Sequence, residues 1–331
     1  GAGELDGIED KARKSGAGES AETYTELAEQ FGPTEFVGND ACAADAVVVG
    51  LTEDSVVLDR TPFYAESGGQ LGDTGWISSD TTRAEIVDTV YGAPGIVRHK
   101  IGNLEGELEV GQSVRATIDG ERRDAIRRNH TATHLLHWAL REVLGEHVKQ
   151  QGSQVAPDRL RFDFSHYEAL SDDEIRRIED LVAADVLANS PARHYETTMD
   201  QAQQIGAIAF FGDKYGDVVK VLEAGPHSTE LCGGTHVKAP GEIGPVKIVS
   251  ESSIGSNIRR IEAVSGTGPL ERLRADEEQI KAAAEVLGVA ADASPLVTSV
   301  ARRAKEKGIE GDYAGQAAKL YVEKVRPALE R

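Results

Sequence analysis

The chain has 331 residues, of which 40% are hydrophobic, and its formal net charge is −20. This length allows two domains of ordinary size, each with a buried core. The acidic balance argues against a protein that binds nucleic acid by general phosphate neutralisation, which needs clustered Lys and Arg over a broad surface. Local arginine clusters at 122–128 and 259–260 leave a small basic site open, with ordinary solvated helix faces as the alternative.

The chain carries no sign of a membrane or export segment. No apolar run reaches the length of a membrane span, and the first residues lack the apolar core of a signal peptide. Cys42 and Cys232 are the two cysteines and lie far apart, which does not make a disulfide framework and fits a reducing compartment. We therefore expect a cytoplasmic location.

Residues 1–33 predict a flexible linker that ends in a short helix before Gly32 and Pro33. From 34 to 119, short β-branched runs alternate between glycines, as in "AVVVGL" and "GIVRHKIG". Strand periodicity with frequent turns predicts a small antiparallel β-barrel, with a sandwich as the alternative.

Residues 120–266 alternate helical and strand patterns. The first helix is expected to end near Gly145, and "RLRFDFS" alternates apolar and charged residues as a half-buried strand does. Ser171 and Glu174 form a capping box before an amphipathic helix. We predict an α+β domain with helices packed on an antiparallel sheet, followed by a helical tail over 267–331.

Two histidines, His130 and His134, stand four positions apart in "RRNHTATHLLHWALREVLG". On a helix both imidazoles project from one face and can share a metal ion. The pair alone does not decide between a metal site and ordinary core or surface histidines. We expect His137 to be a packing or surface residue.

A second pair, Cys232 and His236, stands in "ELCGGTHVKA", where two glycines let the backbone curl so that thiolate and imidazole converge. The two pairs together supply the nitrogen and sulfur ligands that zinc prefers in tetrahedral geometry. They predict a single zinc ion held by His130, His134, Cys232 and His236. The alternative is a small buried cysteine beside an unrelated histidine.

Five motifs in fixed order resemble the editing domain of bacterial alanyl-tRNA synthetases: "NHTATHLLHWALREVLGEHVKQQGS", "LRFDFSH", "AIAFFGDKYGDVVKV", "ELCGGTHV" and "IGSNIRRIEAVSG". Upstream, "TEFVG" and "LDRTPFYAESGGQLGDTG" resemble the barrel subdomain that precedes it in that family. The resemblance covers about residues 34–266. The editing domain of threonyl-tRNA synthetases shares both metal-ligand spacings, but its cysteine motif differs from "CGGTH".

The resemblance implies hydrolysis of the ester in tRNA(Ala) mischarged with serine or glycine, with the same four residues as zinc ligands. Gln150 corresponds to a glutamine near the amino-acid pocket, where an amide can bond the serine hydroxyl; a solvated loop amide is the alternative. Four protein ligands would close the shell as in a structural zinc. Either the shell expands during catalysis, or zinc only shapes the pocket.

The implied partner is the acceptor end of tRNA(Ala), with no role for DNA or a membrane. The residues expected to contact the tRNA are Arg127, Arg128, Arg259, Arg260, Gly69 and Gln70. Arg260 could instead pair with a carboxylate, and the "SGGQ" stretch could be a plain hairpin turn. Because no class II catalytic domain precedes residue 34, we expect a synthetase fragment without aminoacylation activity. A free-standing trans-editing factor and a zinc-stabilised RNA-binding module without activity are the alternatives.

Overall fold

The computed structural model describes residues 18–209 and 216–287. The chain divides into two compact units between Gly266 and Thr267. Of the expected linker and short helix over 1–33, residues 1–17 lie outside the described residues. The part of the expected tail beyond residue 287 also lies outside them. The domain boundaries expected within residues 34–266 stay a prediction.

Helix α1 (Gly18–Phe31) precedes a closed six-stranded barrel. The barrel strands are β2 (Ala43–Leu51), β3 (Ser55–Leu58), β5 (Gly75–Ser78), β6 (Arg83–Ala93), β7 (Ile96–Glu105) and β8 (Ser113–Ile118). They follow the order β2-β3-β7-β6-β5-β8, with antiparallel pairing throughout. Two short strands, β1 (Glu35–Phe36) and β4 (Arg60–Thr61), pair in parallel beside it.

Alternation along the strands fills the barrel. In β8 every second residue is buried, so Val114, Ala116 and Ile118 join the barrel core while the intervening side chains face outward. Closure leaves no unpaired edge, which a sandwich of these short strands would have. The predicted barrel is confirmed.

The second half of this unit places helices on antiparallel sheets. Its helices are α2 (Gly120–Leu144), α3 (Asp172–Ala188), α4 (Met199–Gln204) and a short 3₁₀ turn (Pro240–Ile243). The four-stranded sheet has the order β14 (Lys247–Gly255), β15 (Ile258–Val264), β10 (Leu160–Ser165), β9 (Gln150–Val155). The three-stranded sheet has the order β11 (Arg193–Thr198), β12 (Val218–Ala224), β13 (Ser228–Leu231). The predicted α+β class is confirmed.

Local signals explain the helix ends. Asp119 caps α2 by accepting from the backbone N–H of Arg122, and Gly145 ends that helix. Ser171 and Glu174 form the predicted capping box of α3. The amphipathic face of α3 buries Ile178 and Val182 in the same core as α2. These caps set where α2 and α3 begin.

A buried ion pair joins the barrel to α2. Arg123, fully buried on the first turns of α2, pairs with Asp73 from a barrel loop and donates to the carbonyl oxygens of Gly38 and Pro62. The same loop pairs with edge strand β9. The backbone of Val155 donates to the carbonyl oxygen of residue 69 and accepts from the N–H of residue 71. These contacts bring the "SGGQ" turn beside α2.

The second unit contains, within the described residues, helix α5 (Gly268–Leu287), in agreement with a helical tail. Across residues 18–209 and 216–287, no helix combines the length and apolar character needed to cross a membrane.

Candidate metal centre

Four side chains converge between α2 and the loop after β13. The ligand atoms of His130, His134, Cys232 and His236 all lie within 4.8 Å of one another. His130 and His134 are buried one turn apart on α2, with rings stacked at 5.2 Å. Cys232 directly follows β13, and His236 comes from the loop beyond it. The structure thus brings together all four predicted metal ligands.

The distances suit a tetrahedral site. The Cys232 sulfur lies 3.4 Å from Nε2 of His130 and 3.2 Å from Nε2 of His236. Zinc bonds of about 2.0–2.3 Å in a tetrahedron would separate neighbouring ligand atoms by roughly 3.3–3.8 Å. The two sulfur–nitrogen distances lie close to that range, and all four ligand atoms lie within 4.8 Å of one another, so three imidazoles and one thiolate could share one metal ion.

The glycine loop makes room for this approach. A Cβ atom on Gly234 would lie 2.2 Å from Cε1 of His130 and 2.8 Å from Oε1 of Gln70. No side chain can occupy that position without displacing His130 or Gln70. Gly234 of "CGGTH" therefore serves close packing around His130, which is a stronger requirement than flexibility alone.

Each histidine of the cluster is oriented through its Nδ1 atom. His130 donates from Nδ1 to Oε1 of Gln70 at 2.8 Å, and His236 Nδ1 lies 3.3 Å from Thr131 Oγ1. His134 donates to Oε2 of Glu230 at 2.6 Å. With a proton on Nδ1, the Nε2 nitrogen is the atom that each ring in its neutral form offers to a cation.

The electrostatics favour the ligand-competent protonation states of Cys232 and His236. Burial alone would raise the pKa of the Cys232 thiol, but the imidazoles of His130, His236 and His134 hold that pKa well below its usual value. Burial lowers the pKa of His236 to about 3, so this ring is neutral. Thiolate and neutral imidazole are the forms that bind metal.

His134 and Glu230 form a charged pair beside them. Burial alone would lower the pKa of His134, yet the Glu230 carboxylate and the Cys232 thiolate raise it to about 10. Burial would raise the pKa of Glu230, but His134 and His137 lower it to about 2. Glu230 is therefore ionised inside the protein.

Comparisons with known proteins match this arrangement to one family. The family model described as "Threonyl and Alanyl tRNA synthetase second additional domain" matches residues 218–262, and that of "tRNA synthetases class II (A)" matches residues 9–122. The alanine–tRNA ligase of Myxococcus xanthus is 44% identical over 84% of this chain and 33% of its own length. That of Halorhodospira halophila is 46% identical over 89% and 34%, and that of Stenotrophomonas maltophilia 44% over 92% and 38%.

The chain belongs to the alanyl-tRNA synthetase family. It spans roughly a third of the length of these relatives, 33% to 38% of each. The resemblance carried by the ordered motifs is confirmed. Two of the four candidate metal ligands, Cys232 and His236, lie within the segment matched by the second additional domain.

Two other residues predicted for this family's site, Gln150 and Gly69, lie beside Ser153 of strand β9. Gln150 is half-buried opposite Phe164 in the sheet register, with its amide 3.5 Å from Ser153 Oγ. Gly69 packs directly on the Ser153 backbone and has a φ of +86°. Their roles toward substrate stay predictions.

Gln70, predicted to contact tRNA, is instead buried. Its Oε1 accepts from His130 and from the Thr235 backbone N–H, and its Nε2 donates to Thr235 Oγ1 at 2.9 Å. Because the backbone N–H of Thr235 is a donor, the Gln70 atom that faces it must be the amide oxygen, and this fixes the orientation of the Gln70 amide. Gln70 is placed to orient His130, a predicted metal ligand.

The predicted phosphate-contacting arginines are mostly engaged within the protein. Arg259 forms two hydrogen bonds to Glu251. Arg260 donates two hydrogen bonds to the carboxylate of Asp163, at 2.7 and 2.9 Å, so it pairs with a carboxylate as the alternative interpretation expected. Arg127 bonds the carbonyl oxygen of Asn39 and the carboxylate of Asp124. Their contact with tRNA phosphates stays a prediction, and it would compete with these bonds.

Sequence reasoning missed Glu230 and Thr235 and gave no role to His137. Glu230 stands in "STEL", where a carboxylate occupies a buried position of a strand. Glu230 stands two residues before Cys232. A charged residue at a buried position of a strand was the signal that the sequence offered. His194 was also missed: it is exposed, and its Nε2 donates to the Cys232 carbonyl oxygen at 2.8 Å.

Proposed function

We propose that this chain is an editing deacylase that hydrolyses the ester bond of tRNA(Ala) carrying serine or glycine. The observation that carries the proposal is the convergence of three imidazoles and one thiolate within 4.8 Å, in a chain of the alanyl-tRNA synthetase family. Within it, residues 34–119 would form the barrel subdomain and residues 120–266 the editing domain. The cell compartment would be the cytoplasm.

The metal we propose is a single zinc ion held by His130, His134, Cys232 and His236. The mixed nitrogen and sulfur donor set suits zinc better than hard cations such as Mg²⁺, which take oxygen ligands. When bound, zinc can polarise a carbonyl oxygen or lower the pKa of a water molecule.

The protein's own residues would position the substrate on one side of the cluster. His130 and His134 are buried, while Cys232 and His236 are half-buried, so access is from the side of that second pair. Gln150 would bond the serine hydroxyl, and that amide would stay unpaired when alanine is bound, which spares correctly charged tRNA(Ala). Arg127, Arg128, Arg259 and Arg260 would reach the acceptor-stem phosphates.

One observation favours a second candidate, a zinc-stabilised tRNA-binding module without catalysis. Four protein donors around one ion leave no open position, as in structural zinc sites. A free-standing factor that edits in trans would use the same cluster as the deacylase.

The deciding experiment compares release of the amino acid from Ser-tRNA(Ala), Gly-tRNA(Ala) and Ala-tRNA(Ala) by the 331-residue chain. We expect serine and glycine to be released faster than alanine, and Cys232→Ala to lose this activity. Cys42→Ala is the matched control, because Cys42 is the other free cysteine and is exposed. Equal rates on all three substrates, or an active Cys232→Ala variant, would refute the deacylase.

Metal analysis tests the zinc site that the two candidates share, and tRNA binding compared with hydrolysis separates them. Both require stoichiometric zinc in protein purified without chelator. Binding of tRNA(Ala) with zinc present but no ester hydrolysis would support the binding module instead.

A further inference from the structure

A single buried carboxylate lies between two histidines of α2. Oε2 of Glu230 is 2.6 Å from Nδ1 of His134, and Oε1 is 2.9 Å from Nδ1 of His137. All three side chains are at most 3% exposed. Only His134 belongs to the metal-binding cluster, so Glu230 connects one proposed ligand to one residue outside the ligand set.

From this juxtaposition we infer that Glu230 is a positioning residue for the metal centre and that His137 in turn positions Glu230. The inference rests on the metal site of the proposed function but not on hydrolysis. A carboxylate that accepts from Nδ1 holds the proton of His134 on that nitrogen and presents Nε2 to the metal.

The charge balance supports this role. A divalent ion with one thiolate and three neutral imidazoles leaves one net positive charge in a largely buried site, which is costly without a nearby anion. The other two histidines are held by neutral groups, Gln70 and Thr131. Among these outer partners, Glu230 is the one that brings negative charge.

Packing explains why a second histidine is needed. Glu230 points from β13 into the core, and one bond from His134 would leave its other oxygen without a donor. His137 stands one turn after His134 on the same helix face and supplies that donor. Its ring is fixed against Phe162, with centroids 5.3 Å apart. His134 and His137 thus hold the carboxylate from both sides.

The test measures zinc affinity of the full chain by competition with a chromophoric chelator. We expect Glu230→Gln to bind zinc about 10 to 100-fold more weakly, the range found when such outer partners of metal-binding histidines are removed. Glu230→Asp keeps the charge and should recover part of the loss. His137→Phe should weaken binding several-fold, whereas His137→Gln, which keeps a donor, should weaken it less.

Asp185→Asn is the matched control. Asp185 is a buried carboxylate, 4% exposed, that accepts from Nδ1 of a different histidine, His227, at 2.8 Å. His227 does not belong to the cluster. We expect this variant to keep the zinc affinity of the parent even if its stability falls.

Cobalt supplies a second readout that a general loss of stability does not move. The Co²⁺-loaded parent and Asp185→Asn should share one visible absorption spectrum, and Glu230→Gln should shift its bands because His134 changes orientation. If Glu230→Gln does not fold, Glu230→Asp and His137→Phe decide the question. Parent-like affinity and spectra in the Glu230 variants, or a loss no larger than in Asp185→Asn, would overturn the inference, whatever the deacylation assay shows.

Discussion

The side-chain oxygen of Gln70 lies 2.8 Å from Nδ1 of His130, although 60 positions separate the two residues. Gln70 belongs to the loop between β4 and β5, which pairs with strand β9, and His130 belongs to helix α2. A residue of the barrel region therefore completes the surroundings of the metal-binding cluster. This relationship makes the barrel part of the candidate site instead of a separate attachment.

Replacing Gln70 with Leu should weaken zinc binding and stability together. The change removes the acceptor for His130 and for the Thr235 backbone N–H, and each buried donor left unsatisfied costs about 1–3 kcal/mol. Chelator competition and urea unfolding would measure both effects. Gln112→Leu is the control: Gln112 bonds Ser79 and Thr82 in the barrel, so it should lower stability and leave zinc affinity unchanged.

Gly234→Ala should abolish tight zinc binding, because the added Cβ would overlap His130 at 2.2 Å. The matched change is Gly120→Ala at the start of α2, where a Cβ meets nothing within 4 Å. Zinc content after dialysis measures the difference. Full zinc occupancy in Gly234→Ala would show that the loop can move away without cost.

Arg123→Met should lower the free energy of unfolding by about 3–5 kcal/mol, since removal of one partner leaves the Asp73 carboxylate buried and unpaired by charge. Arg115→Met removes the ion pair to Asp45, in which the two side chains are 52% and 85% exposed, and should cost less than about 1 kcal/mol. Urea unfolding of the two variants gives the comparison. Similar losses would contradict the idea that the buried pair fastens barrel to helix.

His99 should make the protein less stable in mild acid. It is fully buried, its Nδ1 donates to the Val56 carbonyl oxygen at 3.0 Å, and its Nε2 accepts from the Thr61 hydroxyl at 2.7 Å. Burial lowers its pKa from 6.5 to about 4. The folded state thus resists protonation of His99. The contribution of the neutral ring to the free energy of unfolding is complete above pH 6.5 and is lost as the pH falls toward 4.

The measurement compares His99→Gln with the parent at about pH 7.5 and pH 5.5. Between the two pH values, the free energy of unfolding should fall by about 1 kcal/mol more in the parent than in the variant, as linkage predicts for this pKa shift. The parent and the variant share all other titrating groups, including the predicted metal ligands. Subtracting the pH effect in the variant from that in the parent therefore removes the contribution of those groups. No change in the difference would mean that His99 is protonated or exposed in the folded protein.

Much of the architecture follows from local patterns. Alternation in "RLRFDFS" predicts a strand with one buried face, and β10 buries Leu160, Phe162 and Phe164. The four donors were also predictable, because HxxxH on a helix and CxxxH across two glycines each depend on residues four positions apart. Such short-range geometry is set by the helix repeat and the glycine turn, whatever the rest of the fold does.

What the tertiary structure alone decided is how distant residues meet at this centre. Glu230 and His134 are 96 positions apart, and Gln70 and Thr235 are 165 apart. No periodicity links such pairs, and other carboxylates or amides of the chain could have taken the places of Glu230 and Gln70. The choice is made by the packing of the barrel loop, β13 and α2 around one core, where a buried charge or amide is stable only beside the partner that satisfies it.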